Sequence, residues 1–236
     1  MKLSVLIPVY NEAGTIEHVV DRVRAVPLSL ELIAIDDASN DGSGEVLERL
    51  RHDRKLDHLE RHLVNRGKGA AIRSGIARVT GDVVVIQDAD LEYDPAELPD
   101  LIRPILAGKA DAVFGSRFQG GPHRVLYFWH FMGNRFLTLL SNMFTNLNLT
   151  DMETCYKLVR ADVLTRLPLT AERFGFEVEI TARLAQAGAR IWEMPISYSG
   201  RTYAEGKKIT WRDGFAALFH ILHYNLLPPD RRGLPR

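Results

Sequence analysis

An uninterrupted apolar run, Val83–Ile86, ends abruptly in an acidic segment at residues 87–92. Four successive apolar residues are typical of a strand that is covered on both faces. In an open α/β sheet, ligands bind outside the carboxyl ends of the strands, and backbone alternation places Asp88 and Asp90 on the same side. Two close carboxylates repel each other unless a cation lies between them, which predicts a divalent-ion site. The alternative is a solvated acidic turn before a helix that Asp94 caps.

Apolar runs alternate with helical patterns over the first half of the chain. Further strands are predicted at residues 3–9, 30–35, 56–63 and 110–114. Segments with apolar residues at helical spacing separate the early strands, and residues 95–106 are predicted to be helical. This alternation predicts a single α/β domain with a Rossmann-like, mainly parallel sheet and helices on both faces.

The composition excludes several classes of protein. The 236 residues include 30 basic and 30 acidic side chains, so no nucleic-acid partner is predicted. The single cysteine, Cys155, excludes an intrachain disulfide and is expected to pack in the interior. No apolar run reaches the length of about 18 residues that a membrane span requires, and no secretory signal opens the sequence. We therefore expect a cytoplasmic protein.

Acidic residues follow three of the predicted strands. Glu12 follows the first, Asp36 and Asp37 follow the second, and Asp88 and Asp90 follow the strand from Val83. The usual doubly wound strand order makes the first strand and the Val83 strand neighbours at the point where a nucleotide pocket forms. The acids should therefore converge into a metal–nucleotide site. Asp36 or Asp37 could bind ribose hydroxyls or a base edge, and the alternative for this pair is capping of the next helix.

Phosphate-binding loops of the common kinds are missing from the sequence. Residues 8–12 lack the glycines of a dinucleotide-binding turn, and residues 65–69 lack the spacing of a Walker-type loop. A diphosphate would therefore be held mostly by a cation and by side chains.

Six segments, in order, resemble one family: LIPVYNE, IDDASNDGS, NRGKGAAIRSG, QDADLEYDP, GSRF and TDMETCYKL. They are similar to family 2 glycosyltransferases of the GT-A fold, and specifically to dolichol- or polyprenol-phosphate sugar synthases. The resemblance covers nearly the whole chain. It implies a nucleotide-sugar-binding half at residues 1–117, an acceptor-side half with amphipathic helices at 118–227, and a tail at 228–236.

The resemblance also implies roles for individual residues. It assigns the nucleotide pocket to Pro8, Tyr10, Glu12, Asp37 and Asp88. Asp88 and Asp90 would bind Mn²⁺ or Mg²⁺ on the donor diphosphate, and Asp90 would be catalytic. Glu92 stands where the family often has glutamine and is the third expected metal ligand.

The implied reaction is inverting transfer of a hexose to a polyprenyl phosphate, with GDP-mannose and UDP-glucose both open as donors. An acceptor phosphate is anionic near neutral pH and needs positioning by arginine rather than a base. We expect Arg117 to be catalytic in this sense, with Arg124 or Arg135 as a second clamp; solvated surface charges are the alternative for all three.

Two other functions stay open at this point. Transfer to a hydroxyl acceptor would need a carboxylate base, for which Glu153, Glu177 and Glu179 are the candidates. The third function is a nucleotide-sugar-binding protein without activity.

Residues 123–149 and 211–227 predict amphipathic helices that either pack as core or face a membrane. The aromatic residues of the first segment exceed what one helix stripe needs to bury, so peripheral contact with the inner face of a membrane is one expectation. Strands are predicted at residues 154–159 and 191–196, with a helix at 177–187 between them. The basic loop at residues 201–208 could close over the diphosphate or remain solvated.

Overall fold

The computed structural model describes residues 1–120, 122–125, 127–173, 175–202 and 211–227. Seven of the described segments are strands of one sheet: β1 Leu3–Val9, β2 Leu30–Asp36, β3 His58–Arg61, β4 Val83–Ile86, β5 Ala112–Ser116, β6 Lys157–Arg160 and β7 Ile191–Pro195. Their order across the sheet is β3-β2-β1-β4-β6-β5-β7. The predicted α/β class and the mainly parallel sheet are confirmed.

The central strands pair in parallel, as the buried apolar runs predict. Val9 of β1 lies opposite Asp36 of β2, and Leu6 of β1 lies opposite Ile86 of β4. The predicted adjacency of β1 and β4 is therefore correct. Among the described strands, β6 alone runs antiparallel to its neighbours, β4 and β5.

Nine α-helices surround the sheet within the described residues: α1 Ile16–Arg24, α2 Ser43–His52, α3 Lys68–Ile76, α4 Leu98–Leu101, α5 Arg103–Leu106, α6 Phe128–Thr145, α7 Ala161–Leu164, α8 Phe176–Gln186 and α9 Trp211–Leu226. Three of them, α6, α8 and α9, pack against one another. The amphipathic helices predicted for the second half are thus present. No helix in the described part of the chain has both the length and the apolar character to span a bilayer.

The segment predicted as one helix at residues 95–106 is broken into pieces. Asp94 caps a 3₁₀ turn at Pro95–Glu97 by accepting a hydrogen bond from the Ala96 amide at 2.9 Å, and α4 and α5 follow. Pro99 and Pro104 lie in the first turns of α4 and α5, where their missing amide hydrogens interrupt a continuous helical ladder. The continuous helix was therefore a wrong prediction, although the Asp94 cap is confirmed.

Several other boundaries differ from the sequence prediction. The strand expected at residues 154–159 begins three residues later, at Lys157, and ends at Arg160. Residues 154–156 form the loop that leads into β6. The described residues between 123 and 149 contain one helix, α6, and Cys155 is buried as expected. The predicted basic loop from residue 203 onward and the predicted tail at 228–236 lie outside the described residues.

Candidate active site

The loops that follow β1 and β2 are tied to each other at the carboxyl edge of the sheet. The Asn11 amide donates to Ser39 Oγ at 3.1 Å, and the Glu12 amide donates to Ser43 Oγ at 2.9 Å. Asn11 has a φ of 54°, a conformation that asparagine tolerates better than most residues. These contacts fix the backbone around Tyr10, whose side chain is exposed, and hold the two loops together.

The two aspartates at the end of β2, Asp36 and Asp37, are buried and serve different loops. Asp37 accepts hydrogen bonds from the amides of Arg66 and Gly67, at 2.9 and 2.7 Å, and from His62 Nδ1 at 2.6 Å. Asp36 accepts from the Ser39 amide at 2.9 Å. Asp37 therefore anchors the loop between β3 and α3, and its carboxylate is engaged within the protein rather than directed only at a ligand.

A lysine bridges the acidic loop and the start of α8. Lys68 Nζ lies 2.8 Å from Asp88 Oδ1 and 2.8 Å from Glu177 Oε1. Burial opposes the charge of Lys68, but the two carboxylates outweigh it and hold the pKa of the ammonium well above its usual value. Asp88 is thus already neutralised in part by a tethered cation.

The surroundings of Asp90 disfavour its charged form. Its pKa is raised to about 7, first by burial and then by the nearby charges of Asp88 and Glu92. Its neighbour Glu92 is fully engaged: Oε2 accepts from the Tyr198 hydroxyl and Oε1 from the Arg201 amide, each at 2.7 Å. Glu92 therefore joins the acidic loop to the segment at residues 198–201.

Arg201 contacts both the loop after β1 and the loop after β4. Its Nε donates to the carbonyl oxygen of Asp90 at 2.9 Å, and its Nη2 lies 3.3 Å from Glu12 Oε2. Glu12 Oε2 also accepts from Thr15 Oγ1 at 2.9 Å. The guanidinium thus links the loop after β1 to the loop after β4, at the place where the sequence predicts that the acids converge.

The carboxylate oxygens of Asp88 and Asp90 suit a hard divalent ion, although they are too few to hold one unaided. Within the described residues no three histidine, cysteine or carboxylate side chains converge closely enough to hold a metal unaided. Asp88 and Asp90 supply carboxylate oxygens, and burial, followed by the charges of Asp88 and Glu92, raises the pKa of Asp90, so that a nearby cation would favour its ionised form. Mg²⁺ commonly takes one or two carboxylates and completes its shell with substrate phosphates and water. Asp88 and Asp90 therefore fit a metal that arrives with a diphosphate.

Directly after β5, Arg117 forms a buried two-pronged ion pair. Its Nε and Nη2 donate to the two oxygens of Asp151 at 2.7 and 2.8 Å, and Asp151 is fully buried. The Arg117 guanidinium carbon lies 5.1 Å from the ring centroid of Tyr198 and 5.6 Å from that of Phe118. Arg117 is thus not a solvated surface charge.

The two other candidate arginines are exposed. Arg124 donates from Nη1 to the carbonyl oxygen of Gly200 at 3.3 Å, which places it beside the segment at residues 198–201. Arg135 lies on α6 with its guanidinium carbon 5.8 Å from the Phe131 ring, and that ring is 5.2 Å from Phe118. Arg135 and Arg117 therefore flank the same aromatic pair.

The three candidate carboxylate bases have different surroundings. Glu179 is fully buried and accepts from the Thr170 and Ala171 amides at 2.7 to 3.0 Å, which makes it a structural anchor. Glu153 Oε1 and Glu177 Oε2 are buried and have no hydrogen-bond partner among the described residues. Burial, and then the charge of Glu177, raises the pKa of Glu153 to about 7.

Residues 4–167 match the model of a known family described as Glycosyl transferase family 2, which is more than half of the chain. The chain belongs to glycosyltransferase family 2. It is therefore a glycosyltransferase, and the function of a binding protein without activity is not retained.

Relatives of this family 2 glycosyltransferase act with a lipid phosphate. It is 33% identical over 220 residues to undecaprenyl-phosphate mannosyltransferase of Micrococcus luteus, which covers 88% of this chain and 87% of that relative. It is 29% identical over 212 residues to undecaprenyl-phosphate 4-deoxy-4-formamido-L-arabinose transferase of Salmonella paratyphi A, which covers 87% of this chain and 62% of that relative. Both relatives are named as undecaprenyl-phosphate sugar transferases.

The fold of the family 2 glycosyltransferase is similar to that of glucosyl-3-phosphoglycerate synthase from Mycobacterium tuberculosis. The TM-score is 0.73 at 22% identity, over 97% of this chain and 81% of that one. The Mycobacterium protein was crystallised with Mn²⁺, UDP and glucosyl-3-phosphoglycerate, and separately with Mg²⁺ and UDP. The likeness confirms the predicted GT-A fold.

Sequence reasoning about this glycosyltransferase missed the polar residues that hold its acids in place. Lys68 lies in the quoted NRGKG segment, whose single lysine could have been proposed as a partner for the acidic loop. Asp151 and Tyr198 carry no comparable local signal, because their partners lie 34 and 106 residues away.

The glycosyltransferase also exposes a broad apolar face on α6 and α9. The most exposed large apolar side chains of α6 are Phe128, Trp129, Leu139 and Met143. Phe219 and Leu226 of α9 are similarly exposed, and α9 packs against α6. Of the two expectations for these helices, core packing alone does not account for this surface.

Proposed function

We propose that this glycosyltransferase moves a hexose from a nucleotide-diphosphate sugar to a polyprenyl phosphate, with inversion at the anomeric carbon. The observation that carries the proposal is a continuous line of contacts from the acidic loop to the apolar face of α6. The similarity to undecaprenyl-phosphate mannosyltransferase over most of both chains supports the acceptor class.

The line of contacts runs through four side chains beyond Glu92. The Tyr198 hydroxyl donates to Glu92, the Tyr198 ring lies against Arg117, and Arg117 lies against Phe118. Phe118 in turn contacts Phe131 of α6 edge to face, with centroids 5.2 Å apart. A lipid phosphate needs a cation for its head and an apolar surface for its tail, and this arrangement offers both within a few side chains of the acidic loop.

The donor would bind at the carboxyl ends of β1 and β4. Pro8, Tyr10 and Glu12 would line the nucleotide pocket, and Asp88 and Asp90 would hold Mn²⁺ or Mg²⁺ on the diphosphate. When bound, such an ion supplies Lewis-acid neutralisation of the charge on the departing nucleotide. Glu92 has both oxygens engaged by Tyr198 and Arg201, which suits it better to holding the loop than to binding the ion.

In the reaction, an oxygen of the acceptor phosphate forms a bond with the anomeric carbon as the bond from that carbon to the nucleotide diphosphate breaks. The phosphate is anionic near neutral pH, so no base has to remove a proton from it. Asp151 fixes Arg117 through Nε and Nη2, and none of the described hydrogen bonds involves Nη1, which can therefore donate to the phosphate. Arg135 is the second clamp that we favour, since it borders the same aromatic pair.

We further propose that the apolar face of α6 and α9 lies on a lipid bilayer. Trp129 is 79% exposed and Phe219 is 65% exposed, which is unusual for an aromatic side chain of a monomeric protein and typical of an interfacial helix. The acceptor itself is a bilayer lipid, and Arg117 lies next to this face through Phe118 and Phe131. Trp129→Ser with Phe219→Ser should reduce co-sedimentation with phosphatidylglycerol vesicles; a gel-filtration shift from dimer to monomer instead would indicate a protein partner.

The reaction is tested by incubating the purified protein with Mn²⁺, undecaprenyl phosphate and labelled GDP-mannose or UDP-glucose. We expect label in a lipid product that depends on both substrates, and Asp90→Asn should abolish it. Undecaprenol, which has the same chain without the phosphate, is the matched control acceptor. Transfer to undecaprenol or to a soluble sugar, with none to the lipid phosphate, would refute the proposed acceptor.

One observation favours a hydroxyl acceptor as the second candidate. The raised pKa of Glu153, about 7, is the value that suits a general base near neutral pH. Under that alternative, Glu153→Gln should abolish turnover even at saturating donor, whereas under the lipid-phosphate proposal no base is required and most of the turnover at saturating donor should remain.

A further inference from the structure

Glu177 presents an unsatisfied acceptor in an almost fully buried side chain. The residue is 6% exposed and lies in the first turn of α8. Its Oε1 is held by Lys68 at 2.8 Å, whereas its Oε2 is buried and has no hydrogen-bond partner in the described part of the chain. Buried polar atoms are almost always hydrogen-bonded, so an orphan of this kind calls for a ligand or an ordered water.

A second orphaned carboxylate oxygen belongs to Glu153, on the approach to β6. Glu153 Oε1 is buried and also lacks a partner among the described residues. The two carboxylates sense each other's charge: burial raises the pKa of Glu153 first, and the charge of Glu177 raises it further. Two acceptors that the protein leaves unpaired are thus held near each other, and a ligand with several hydroxyl donors could satisfy both.

Lys68 relates these acceptors to the donor diphosphate. It contacts Asp88 and Glu177 at the same distance, 2.8 Å, so the two carboxylates are separated by a single ammonium group. If Asp88 binds the metal on the diphosphate, the group attached to that diphosphate lies within reach of Glu177. In a nucleotide-diphosphate sugar, that group is the hexose.

A second metal ion is a poorer match for this place. The Lys68 ammonium already occupies the position between Asp88 and Glu177 and compensates their charge. A sugar hydroxyl, in contrast, is neutral and donates one hydrogen bond, so two hydroxyls of a hexose could supply the two donors that the orphaned oxygens lack. Such a bond to a charged carboxylate is also stronger than one between neutral groups.

We propose that Glu177, fixed by Lys68, and Glu153 form a subsite that accepts hydrogen bonds from hydroxyl groups of the donor hexose. The inference rests on the proposed function and assigns these residues to sugar selection rather than to base catalysis. A site with buried acceptors discriminates strongly against an analogue that lacks the matching hydroxyl, because the acceptors then remain unpaired.

The test compares the affinity for a nucleotide sugar with that for the nucleotide alone. Binding of GDP-mannose, UDP-glucose, GDP and UDP is measured by titration calorimetry with Mn²⁺ for the wild type, Glu177→Gln and Glu153→Gln. A hydrogen bond between a hydroxyl and a charged group corresponds to about 10- to 100-fold in affinity. We expect a loss of that size for the nucleotide sugar and a change within about twofold for the nucleotide diphosphate.

Glu97→Gln is the matched control. Glu97 Oε2 is also buried without a described partner, but this side chain accepts from the Ser197 amide at 2.8 Å and lies on the turn before α4. It should leave both affinities unchanged. If Glu177→Gln does not fold, Glu153→Gln provides the same comparison.

Each result separates this inference from the proposed function. Equal weakening of nucleotide sugar and nucleotide, or no weakening of either, would overturn the sugar subsite while leaving the transferase proposal intact. A wild-type protein that binds none of the four ligands would overturn both. As a further readout, the wild type should reject at least one monodeoxy-hexose donor, and Glu177→Gln or Glu153→Gln should reduce that rejection.

Discussion

Replacing Arg117 should lower the free energy of unfolding and should also impair sugar transfer. Arg117→Ala leaves the carboxylate of Asp151 buried without the guanidinium that now donates to both of its oxygens. Breaking a buried ion pair from one side costs about 3–5 kcal/mol, which is a large part of the about 5–15 kcal/mol that stabilises a typical domain. A loss of activity in this variant alone would therefore not demonstrate a contact with phosphate.

A double variant separates the two roles. Arg117→Met with Asp151→Asn removes both charges and keeps an acceptor for the amide of residue 117, which now donates to Asp151 at 3.1 Å. Replacing a buried ion pair with neutral residues of similar volume is often nearly neutral for stability. The double variant should therefore recover most of the free energy of unfolding, within about 1–2 kcal/mol of the wild type, while transfer to undecaprenyl phosphate remains lost.

The assay combines urea unfolding, followed by far-ultraviolet circular dichroism, with transfer measured where all variants are folded. An Arg117→Ala protein as stable as the wild type would refute the argument from the buried pair. A stable double variant with wild-type turnover would refute the phosphate role of Arg117. Arg117→Lys offers an intermediate case, because it keeps the charge but loses the two-pronged geometry.

Three further predictions concern charge and packing elsewhere. Because the pKa of Asp90 is raised to about 7, Mn²⁺ affinity measured by calorimetry should fall up to tenfold per pH unit below pH 7 and level off above it; a flat profile would contradict the metal role. Burial disfavours the charge of Glu31, but hydrogen bonds from Ser4, Thr80 and Lys2 lower its pKa from 4.5 to about 2. The ionised side chain therefore contributes about 3 kcal/mol to the free energy of unfolding. This contribution is fully present above pH 4.5 and is lost as the pH falls toward 2. The deficit of Glu31→Gln in urea unfolding should accordingly be full at pH 7 and shrink below pH 4.5. Gly69→Ala should destabilise by about 1–3 kcal/mol because its methyl group would overlap the carbonyl oxygen of Ala171, whereas Gly14→Ala, with open space around the added carbon, should be nearly neutral in thermal unfolding.

The sequence predicts the edge of the sheet at which the acids meet, because that prediction needs only local patterns. The apolar runs of β1 and β4 identify buried parallel strands, and the rule for doubly wound sheets makes them neighbours. The interruption at Pro99 and Pro104 was also readable, since proline within a helical pattern removes a backbone donor. The direction of β6 was not, because a short apolar run does not encode which way it enters the sheet.

The partners of the acids could not be predicted in the same way. Periodicity reports which face of a segment is apolar, but it does not report which distant polar residue lies opposite. Lys68 meets Glu177 and Glu92 meets Tyr198 only because the second half of the chain folds back over the sheet edge. For that reason the sequence placed Glu92 among the metal ligands, whereas the structure has both of its oxygens in contact with the returning segment.

The segment at residues 198–201 contacts both the acidic loop and Arg117, so binding of the donor and binding of the acceptor should be coupled. Tyr198 contacts Glu92 through its hydroxyl and Arg117 through its ring, while Arg201 contacts Glu12 and the Asp90 carbonyl. A shift of the acidic loop on donor binding would therefore displace Tyr198, which also contacts Arg117, the arginine that we propose for the acceptor phosphate. Coupling of this kind is reciprocal, so the acceptor phosphate should alter donor affinity by the same factor by which the donor alters acceptor affinity.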